Sequence, residues 1–290
     1  MTAVLRTRAE LREALAGVAR PIGLVPTMGW LHDGHRSLFR EARRANATTV
    51  ATIFVNPRQF GDPADLERYP RSEARDVAIC GEEGLDLVWA PPVKEVYHPG
   101  FDTIVAVGAI SRPLEGAARP GHFDGVATVV AVLFGLIGAE HAYFGQKDAQ
   151  QVMVIRRMAL DLALPTEVIA CPTVREHDGL ALSSRNVHLM PVERTAAPVL
   201  HRALLAARAD WDAGERSGDA LRARMRTILA TEPMATVDYV SVADPDALTP
   251  VADADAVGER ALLAVAAFCG TTRLIDNVVL GEEPGPTVAS

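Results

Sequence analysis

The chain is poor in cysteine. Its 290 residues include only three, Cys80, Cys171 and Cys269, which lie far apart in the sequence. An odd number of widely spaced cysteines fits neither a disulfide framework nor the paired spacing of a zinc site. We therefore expect three buried thiols that pack as small apolar side chains, in a protein of a reducing compartment.

The sequence also lacks long apolar runs and long basic runs. Its most apolar stretch, 126–137, is too short to span a bilayer. The N-terminus has no extended apolar core and becomes charged at Arg6, which argues against a signal peptide. The formal net charge is −8, whereas nucleic-acid binding needs concentrated Lys and Arg. We expect a cytoplasmic protein with neither nucleic acid nor membrane as partner, although a small anionic ligand is still possible.

Short apolar runs alternate with helical patterns over residues 1–173. The predicted strands are 22–25, 48–55, 85–90, 142–144 and 167–170, and the predicted helices between them are 35–45, 72–83, 124–138 and 148–162. Nearly all-apolar strands are typical of a parallel sheet covered on both faces. The pattern predicts a doubly wound α/β sheet. Capping-box spacing in Thr7-Arg-Ala-Glu10 predicts that the chain opens with a helix.

The character of the chain changes after about residue 174. Two helical segments, 191–213 and 217–231, precede three strand-like runs, which are 236–243, 261–268 and 273–280. Helices followed by strands predict a second, smaller α+β domain over 174–283. Pro198 predicts a kink or a late helix start in the first segment. The remaining residues, 284–290, are expected to form a flexible tail.

Two histidines mark the turn after the first predicted strand. The phrase His32-Asp-Gly-His35 lies between that strand and the helical pattern that contains Leu38, Phe39 and Ala42. A helix N-terminus offers free backbone N–H groups and a positive dipole end, which bind anions such as phosphate. Two imidazoles at the same place can donate hydrogen bonds to a phosphoryl oxygen. The arrangement resembles that of the nucleotidylyltransferase superfamily.

Four further segments carry polar groups that suit phosphate or a small acid. Each also has an ordinary interpretation as a turn, surface charge, a solvated loop or a connector. Charge-assisted hydrogen bonds from such groups are among the strong ones in proteins. The residues concerned are Asn56, Arg58 and Gln59; Lys147, Asp148 and Gln151; Ser183, Ser184 and Arg185; and Arg119 and His122.

Together these segments resemble the pantothenate synthetase family, the pantoate–β-alanine ligases. The resemblance covers nearly the whole chain. The matching phrases are Pro-Thr-Met-Gly with His-x-Gly-His, Ile-Phe-Val-Asn-Pro-x-Gln-Phe, Arg-Tyr-Pro-Arg, Phe-Gly-x-Lys-Asp-x-x-Gln, Pro-Thr-Val-Arg-Glu, Ser-Ser-Arg-Asn and, at 270–277, Gly-Thr-Thr-Arg-Leu-Ile-Asp-Asn.

The resemblance implies a reaction and an architecture. Pantoate, β-alanine and ATP would give pantothenate, AMP and pyrophosphate through a pantoyl adenylate, with Mg²⁺. The amino-terminal domain would be Rossmann-like and would bind nucleotide and pantoate. The small carboxyl-terminal domain would act as a lid, and the protein would be a homodimer.

The resemblance also implies site residues. Gln59 and Gln151 would bind pantoate, and Gln59 would also bind β-alanine. Arg119 and His122 receive no definite role. The residues implied to bind ATP are Met28, Gly29, Trp30, Leu31, His32, Asp33, Gly34, His35, Gly145, Gln146, Lys147, Asp148, Val174, Leu182, Ser183, Ser184 and Arg185. Those implied to be catalytic are His32, His35, Lys147, Ser183, Ser184 and Arg185.

Three positions depart from the family pattern. Trp30 stands where a small or polar residue is usual, so the nucleotide end of the site is expected to be reshaped. Leu182 replaces a Met, a swap that conserves volume. The segment 71–76 has fewer acidic residues than some relatives, so no protein ligand for Mg²⁺ is assigned, with Asp76 kept only as a candidate. Phosphates and water would supply most of the coordination.

Three other functions stay open from the sequence. The chain could be a nucleotidylyltransferase that transfers AMP to a phosphate acceptor and stops there, although the neutral amides Gln59 and Gln151 suit a hydroxy acid better. It could be a fragment of a class I aminoacyl-tRNA synthetase, which its shortness and acidity disfavour. It could also be a non-catalytic nucleotide sensor, which the full set of candidate catalytic groups disfavours.

Overall fold

The structure, a computed structural model, describes residues 2–252 and 255–282. It divides into two compact units. The first unit is the chain up to Gly145 together with Gln150–Cys171, and the second is Gln146–Ala149 together with the chain from Pro172 onward. The tail predicted at 284–290 lies outside the described residues.

The first unit is built on a six-stranded parallel sheet, as the alternating pattern predicts. All its strand pairs are parallel, and the strand order is β1-β4-β3-β2-β5-β6. The strands are β1 (Ala3–Leu5), β2 (Ile22–Thr27), β3 (Thr48–Ile53), β4 (Leu87–Trp89), β5 (His141–Gly145) and β6 (Glu167–Cys171).

Helices connect these strands, as expected of a doubly wound Rossmann-like sheet. Leu38, Phe39 and Ala42 of α2 are buried in the core of this unit, as their spacing predicts. The helices are α1 (Arg8–Leu15), α2 (Asp33–Ala45), α3 (Pro63–Arg68), α4 (Glu73–Glu82), α5 (Val93–Val96), α6 (Glu115–Ala118), α7 (His122–Ile137) and α8 (Ala149–Asp161).

The strand order reverses between β2 and β5. From β2 the chain moves outward through β3 to β4, and it then returns to place β5 on the other side of β2. In open α/β sheets, ligands bind outside the carboxyl ends of the strands at such a switch point. The two-histidine turn follows directly from the carboxyl end of β2.

The prediction that the chain opens with a helix is wrong. Strand β1 comes first and pairs with β4, more than eighty residues further on. A three-residue strand carries too little periodicity to be recognised from sequence. The capping box itself is confirmed, because the Glu10 N–H donates to Thr7 Oγ1 (3.1 Å) and the Thr7 N–H donates to Glu10 Oε2 (2.9 Å) at the start of α1.

The second unit contains a three-stranded antiparallel sheet, ordered β7-β8-β9, and three helices. Pro198 separates two of the helices, which agrees with the predicted kink or late start. Apolar side chains from the helices and the sheet form one core. The elements are α9 (Pro191–Ala196), α10 (Val199–Asp212), α11 (Gly218–Leu229), β7 (Ala235–Ala243), β8 (Ala261–Cys269) and β9 (Thr272–Leu280).

The three cysteines are unpaired and buried, as expected. Desolvation raises the pKa of the Cys80 thiol to about 12 and those of the Cys171 and Cys269 thiols to about 11. Over residues 2–252 and 255–282, no helix combines the length and the apolar character needed to cross a membrane.

Candidate active site

The turn between β2 and α2 is held by one buried carboxylate. Gly29 and Trp30 have φ of +82° and +52°, a region that L-residues other than Gly rarely enter. Asp76, on α4 and only 1% exposed, accepts the Trp30 N–H at Oδ2 and the Leu31 N–H at Oδ1, both at 2.8 Å. A Cβ on Gly29 would lie 2.8 Å from Asp76 Oδ2. The turn therefore needs both the glycine and the acid.

The two histidines lie where this turn enters the helix. His32 directly precedes α2, and its carbonyl accepts the His35 N–H at 2.8 Å. The His35 Nδ1 accepts the His32 backbone N–H at 3.3 Å, and the two ring centroids are 4.1 Å apart. Because Nδ1 acts as an acceptor, the proton of a neutral His35 ring is on Nε2. The donor atom of that ring, Nε2, thus belongs to a residue in the first turn of α2.

Trp30 is held by a neighbouring arginine. The Arg75 guanidinium carbon lies 5.2 Å from the centroid of the Trp30 ring, and Arg75 Nη2 donates to the Leu31 carbonyl at 2.8 Å. A cation over an indole face is an attractive contact. The bulky side chain is therefore part of an ordered turn.

The contacts of Asp76 do not resemble those of a metal ligand. Both of its carboxylate oxygens are committed to backbone N–H groups, and the side chain is almost completely buried. Within the described part of the chain, no group of three or more His, Cys, Asp or Glu side chains could hold a metal ion. The described protein side chains therefore do not provide a Mg²⁺ cage.

A second group of polar residues surrounds Gln59, in the 3₁₀ turn Pro57–Gln59 after β3. Gln59 is buried, and its Oε1 accepts from Asn56 Nδ2 at 3.0 Å. Asn56 Nδ2 also donates to the Gly125 carbonyl at 3.0 Å, and Asn56 Oδ1 accepts from the Tyr97 hydroxyl at 2.8 Å. Desolvation raises the pKa of Tyr97 to about 12, so the phenol remains a donor. Sequence reasoning missed Tyr97.

Arg58 has a structural role beside this group. Its guanidinium carbon lies 4.7 Å from the ring centroids of both Tyr97 and Phe101. The same guanidinium donates to the carbonyls of Phe101 (3.2 Å) and Thr103 (3.4 Å). These contacts hold the segment after Tyr97 in place.

Arg119 and His122 also meet at Gln59. The His122 Nδ1 lies 2.9 Å from the Gln59 carbonyl oxygen, and Arg119 Nη1 lies 3.2 Å from His122 Nε2. A carbonyl can only accept and a guanidinium can only donate, so Nδ1 carries the proton and Nε2 is the acceptor. The basic nitrogen of His122 therefore already receives an N–H. This contact makes His122 a poor general base.

The other pantoate candidate, Gln151, lies on α8 beside a buried glutamine. Gln150 accepts the Glu115 N–H at 3.0 Å and donates to the carbonyls of Ile110 (3.0 Å) and Pro113 (2.8 Å). Gln151 is only partly buried, and within residues 2–252 and 255–282 its side chain makes no hydrogen bond. Gln150 is thus a structural residue, whereas the Gln151 amide remains available to a ligand.

Gly145 is the last residue of β5 in the first unit, whereas the candidates at 146–148 and 174–185 belong to the second unit. Gln146–Asp148 form a 3₁₀ turn that follows β5 along the chain. Val174 and Leu182 close a short hairpin, in which the Leu182 N–H donates to the Val174 carbonyl at 3.0 Å. Ser183 then caps a 3₁₀ turn, Ser184–His188, and its Oγ accepts the Arg185 N–H at 3.3 Å. The hairpin and the 184–188 turn thus each contain ordering hydrogen bonds of their own.

A doubly wound parallel sheet whose switch-point strand leads into a two-histidine helix start is typical of the nucleotidylyltransferase superfamily. The family model described as Pantoate-beta-alanine ligase matches residues 3–279. The chain therefore belongs to the pantoate–β-alanine ligase family, which is a family of ligases.

Individual relatives agree in sequence and in structure. The pantothenate synthetase of Roseiflexus sp. (strain RS-1) is 59% identical over 277 residues, covering 96% of this chain and 99% of that protein. The crystal structure of the Thermus thermophilus enzyme superposes with a TM-score of 0.90 at 48% identity, covering 96% and 99% of the two chains. The Francisella tularensis pantoate-beta-alanine ligase, solved with beta-gamma ATP and beta-alanine, gives 0.79 at 30% identity, covering 98% and 100%.

Proposed function

We propose that this protein joins pantoate to β-alanine in an ATP-dependent ligation that releases AMP and pyrophosphate. The proposal rests on family membership and on the Francisella tularensis relative, whose structure was solved with beta-gamma ATP and beta-alanine. The observation in this chain that carries it is the β2–α2 turn, where His35 offers an N–H donor at a helix N-terminus.

ATP is proposed to be bound by Met28–His35, the turn at 145–148, Val174 and the 182–185 segment. Gln59 and Gln151 would bind pantoate, and Gln59 would also contact β-alanine. The neutral amide of Gln151 suits a hydroxyl or carboxylate oxygen, because it can both donate and accept.

The first half-reaction gives the carboxylate a leaving group. A pantoate carboxylate oxygen attacks the α-phosphorus, the bond to the bridging oxygen breaks, and pyrophosphate departs with the electron pair. His32 and His35 would donate to the α-phosphate oxygens as charge develops there. Lys147, Ser183, Ser184 and Arg185 would neutralise the departing pyrophosphate, a task for which a compact ammonium and a planar guanidinium are suited.

In the second half-reaction, the amine nitrogen attacks the acyl carbon. The carbon–nitrogen bond forms, the carbon–oxygen bond to AMP breaks, and the nitrogen releases a proton. An alkylamine has a reference pKa of about 10.4, so only a small fraction is neutral near pH 7. Because the His122 Nε2 already receives an N–H from Arg119, we do not assign His122 as the base.

Mg²⁺ is proposed to accompany ATP, where its charge would offset that of the phosphates. The described residues do not fit a protein-built metal cage, since both oxygens of Asp76 are taken by backbone N–H groups. Phosphate oxygens and water would therefore provide the ligands. We also propose that the protein is a cytoplasmic homodimer, as its family suggests.

The activity is tested by omitting each substrate in turn from an assay of AMP and pyrophosphate release. Full turnover should require ATP, pantoate and β-alanine, and pyrophosphate release should require pantoate. Multiple-turnover pyrophosphate release without any AMP release would instead favour a nucleotidylyltransferase, because the AMP then stays on its acceptor. Binding of ATP without any turnover would favour a sensor.

The role of His35 is tested by His35→Ala. Loss of one transition-state donor should lower kcat by roughly 10²–10³-fold, with the melting temperature little changed. His98→Ala is the matched control, because His98 is an exposed histidine of the same unit and should leave kcat unchanged. Turnover by His35→Ala within a few-fold of wild type would show that the assigned role is wrong.

A further inference from the structure

Two adjacent polar residues of β9, Asp276 and Asn277, are almost completely buried, at 4% and 6% exposure. They close the phrase 270–277 that matches the family, yet neither belongs to the residues assigned to a substrate. Burial of polar groups is costly unless each one is hydrogen-bonded. Their partners are therefore informative.

Asn277 holds the turn that carries Lys147. Its Nδ2 donates to the Gln146 carbonyl at 3.0 Å and to the Lys147 carbonyl at 2.8 Å. Its Oδ1 accepts from Gln146 Nε2 at 3.4 Å. One side-chain amide thus fixes two consecutive backbone carbonyls and one side chain of the 3₁₀ turn.

Asp276 holds the hairpin that carries Val174 and Leu182. Its carboxylate forms a bidentate pair with Arg175, with Nη1–Oδ2 and Nη2–Oδ1 distances of 2.6 and 2.9 Å. Arg175 Nη1 also donates to the Gly179 carbonyl at 3.1 Å, inside the same hairpin. Arg175 and Ala181 form an antiparallel β-bridge across the hairpin. This bridge is adjacent to the backbone hydrogen bond from the Leu182 N–H to the Val174 carbonyl.

Asp276 and Asn277 are neighbours on β9, so one strand supports both the turn and the hairpin. Successive side chains of a strand point to opposite faces, which lets neighbouring residues hold different segments. Asp276 pairs with Val265 and Asn277 with Ala264 of the buried strand β8. The Asp276 Oδ1 additionally accepts the Asn277 N–H at 2.8 Å. The position of the turn at 146–148 is thereby tied to that of the hairpin at 174–182.

We propose that Asp276 and Asn277 are positioning residues for ATP, which fix the spacing between the Lys147 turn and the Val174–Leu182 hairpin. The inference rests on the proposed function, because it takes both segments to be ATP-binding. A buried ion pair contributes little net stability when its desolvation is counted, whereas a small misplacement of a binding group is costly for catalysis.

The test uses Asn277→Ala and Asp276→Asn in the full-length protein. For each variant, kcat, KM for every substrate, the Kd of a non-hydrolysable ATP analogue and the melting temperature are measured. We expect kcat/KM for ATP to fall on the order of 10²-fold and the Kd of the ATP analogue to rise roughly tenfold, with KM for pantoate changed less than twofold. Val278→Ala on the same strand is the matched control, because it removes apolar packing against the core and should affect only the melting temperature.

Asn277→Ser is the conservative variant, because its hydroxyl retains one donor. It should recover part of the ATP affinity, and it replaces Asn277→Ala if that variant fails to fold. Variants that melt earlier but keep kcat and the Kd of the ATP analogue within twofold of wild type would overturn the inference. Lys147→Ala separates the proposed ATP site from the proposed positioning role. If Lys147→Ala leaves ATP affinity and kcat unchanged, the proposed ATP site is wrong. If Lys147→Ala lowers ATP affinity and kcat but Asn277→Ala does not, only the positioning role is wrong.

Discussion

Asp76→Asn is expected to disable the β2–α2 turn while leaving the sheet intact. The carboxylate accepts two backbone N–H groups at 2.8 Å in a site that is 1% exposed. Hydrogen bonds to a charged group contribute about 1.5–3 kcal/mol each. The amide keeps one acceptor and presents an NH₂ group to the other N–H, so we expect a loss of about 2–4 kcal/mol.

The catalytic effect should exceed the effect on stability. Trp30 has φ of +52°, a strained conformation for a bulky residue, and without the acid the turn should relax towards ordinary backbone angles. That movement would displace the start of α2, where both histidines lie. A displacement of about 1 Å can lower a rate on the order of 10²-fold. We therefore expect kcat to fall by about that factor in a protein that still folds.

Three measurements on Asp76→Asn test this reasoning: kcat by AMP release, urea unfolding, and hydrogen exchange of the Trp30 and Leu31 amides. Both amides should lose protection. Asp86→Asn is the control, because the Asp86 carboxylate accepts the N–H and the hydroxyl of Thr49 (2.7 and 2.8 Å) at the amino-terminal edge of the sheet, away from the turn. It should change kcat by less than twofold.

Two results would refute the positioning role of Asp76. One is unchanged amide protection with kcat within threefold of wild type. The other is recovery of kcat at high Mg²⁺ concentration, because excess metal compensates for a weakened metal site but cannot rebuild a turn. The second result would restore Asp76 as the metal ligand that the sequence suggests.

Two further predictions follow from local geometry. Gly29→Ala should lower both the melting temperature and kcat, because its Cβ would lie 2.8 Å from Asp76 Oδ2 and 3.3 Å from Ile53 Cγ2, at a φ of +82°. Gly17→Ala is the control and should be neutral, because no heavy atom lies within 4 Å of its added Cβ. Equal behaviour of the two variants would contradict this explanation. The folded protein should not react with a disulfide reagent at pH 8, whereas the urea-unfolded chain should expose three thiols. Burial raises the folded pKa of these thiols from 9.0 to about 11–12. Their contribution to the free energy of unfolding is therefore complete below pH 9.0 and is lost as pH rises towards the folded pKa values. Urea unfolding at pH 8 and pH 10 should show this loss as a lower free energy of unfolding at pH 10.

Features fixed by neighbouring residues were predictable from the sequence. The Thr7–Glu10 capping box and the break at Pro198 depend on residues within about one helical turn. The buried face of α2 and the apolar strands make distant contacts, but the spacing of their own apolar residues reveals them. The strand ends differ from the predicted ones: β2 continues beyond Val25 through Pro26 to Thr27 and pairs with β3 over this length. Proline is tolerated there because the other neighbour, β5, pairs only with Gly23 and Leu24 and needs no N–H from residue 26.

Features that depend on distant partners were not predictable. Strand β1 exists because β4 pairs with it, and its three residues alone give no signal. Asp76 was predicted as a metal candidate from its charge, whereas its partners lie 45 and 46 residues away in the sequence. Tyr97 reaches Asn56 across 41 positions. A single sequence shows which residues can form hydrogen bonds, but not which of them meet.

The candidate site therefore depends on carboxylates that are not themselves assigned to substrate. A segment that offers its N–H groups or side chains to phosphate needs support from elsewhere in the fold. In the first unit Asp76 supports the turn, and in the second unit Asp276 supports the hairpin. A carboxylate near bound triphosphate would repel it and weaken its binding unless the carboxylate charge is balanced. Asp276 is balanced by the bidentate Arg175, and Asp76 by two backbone N–H groups with Arg75 Nη1 at 3.5 Å. Each acid can thus order a binding segment without repelling the anion, which explains why these acidic residues can be buried near candidate ATP-binding segments.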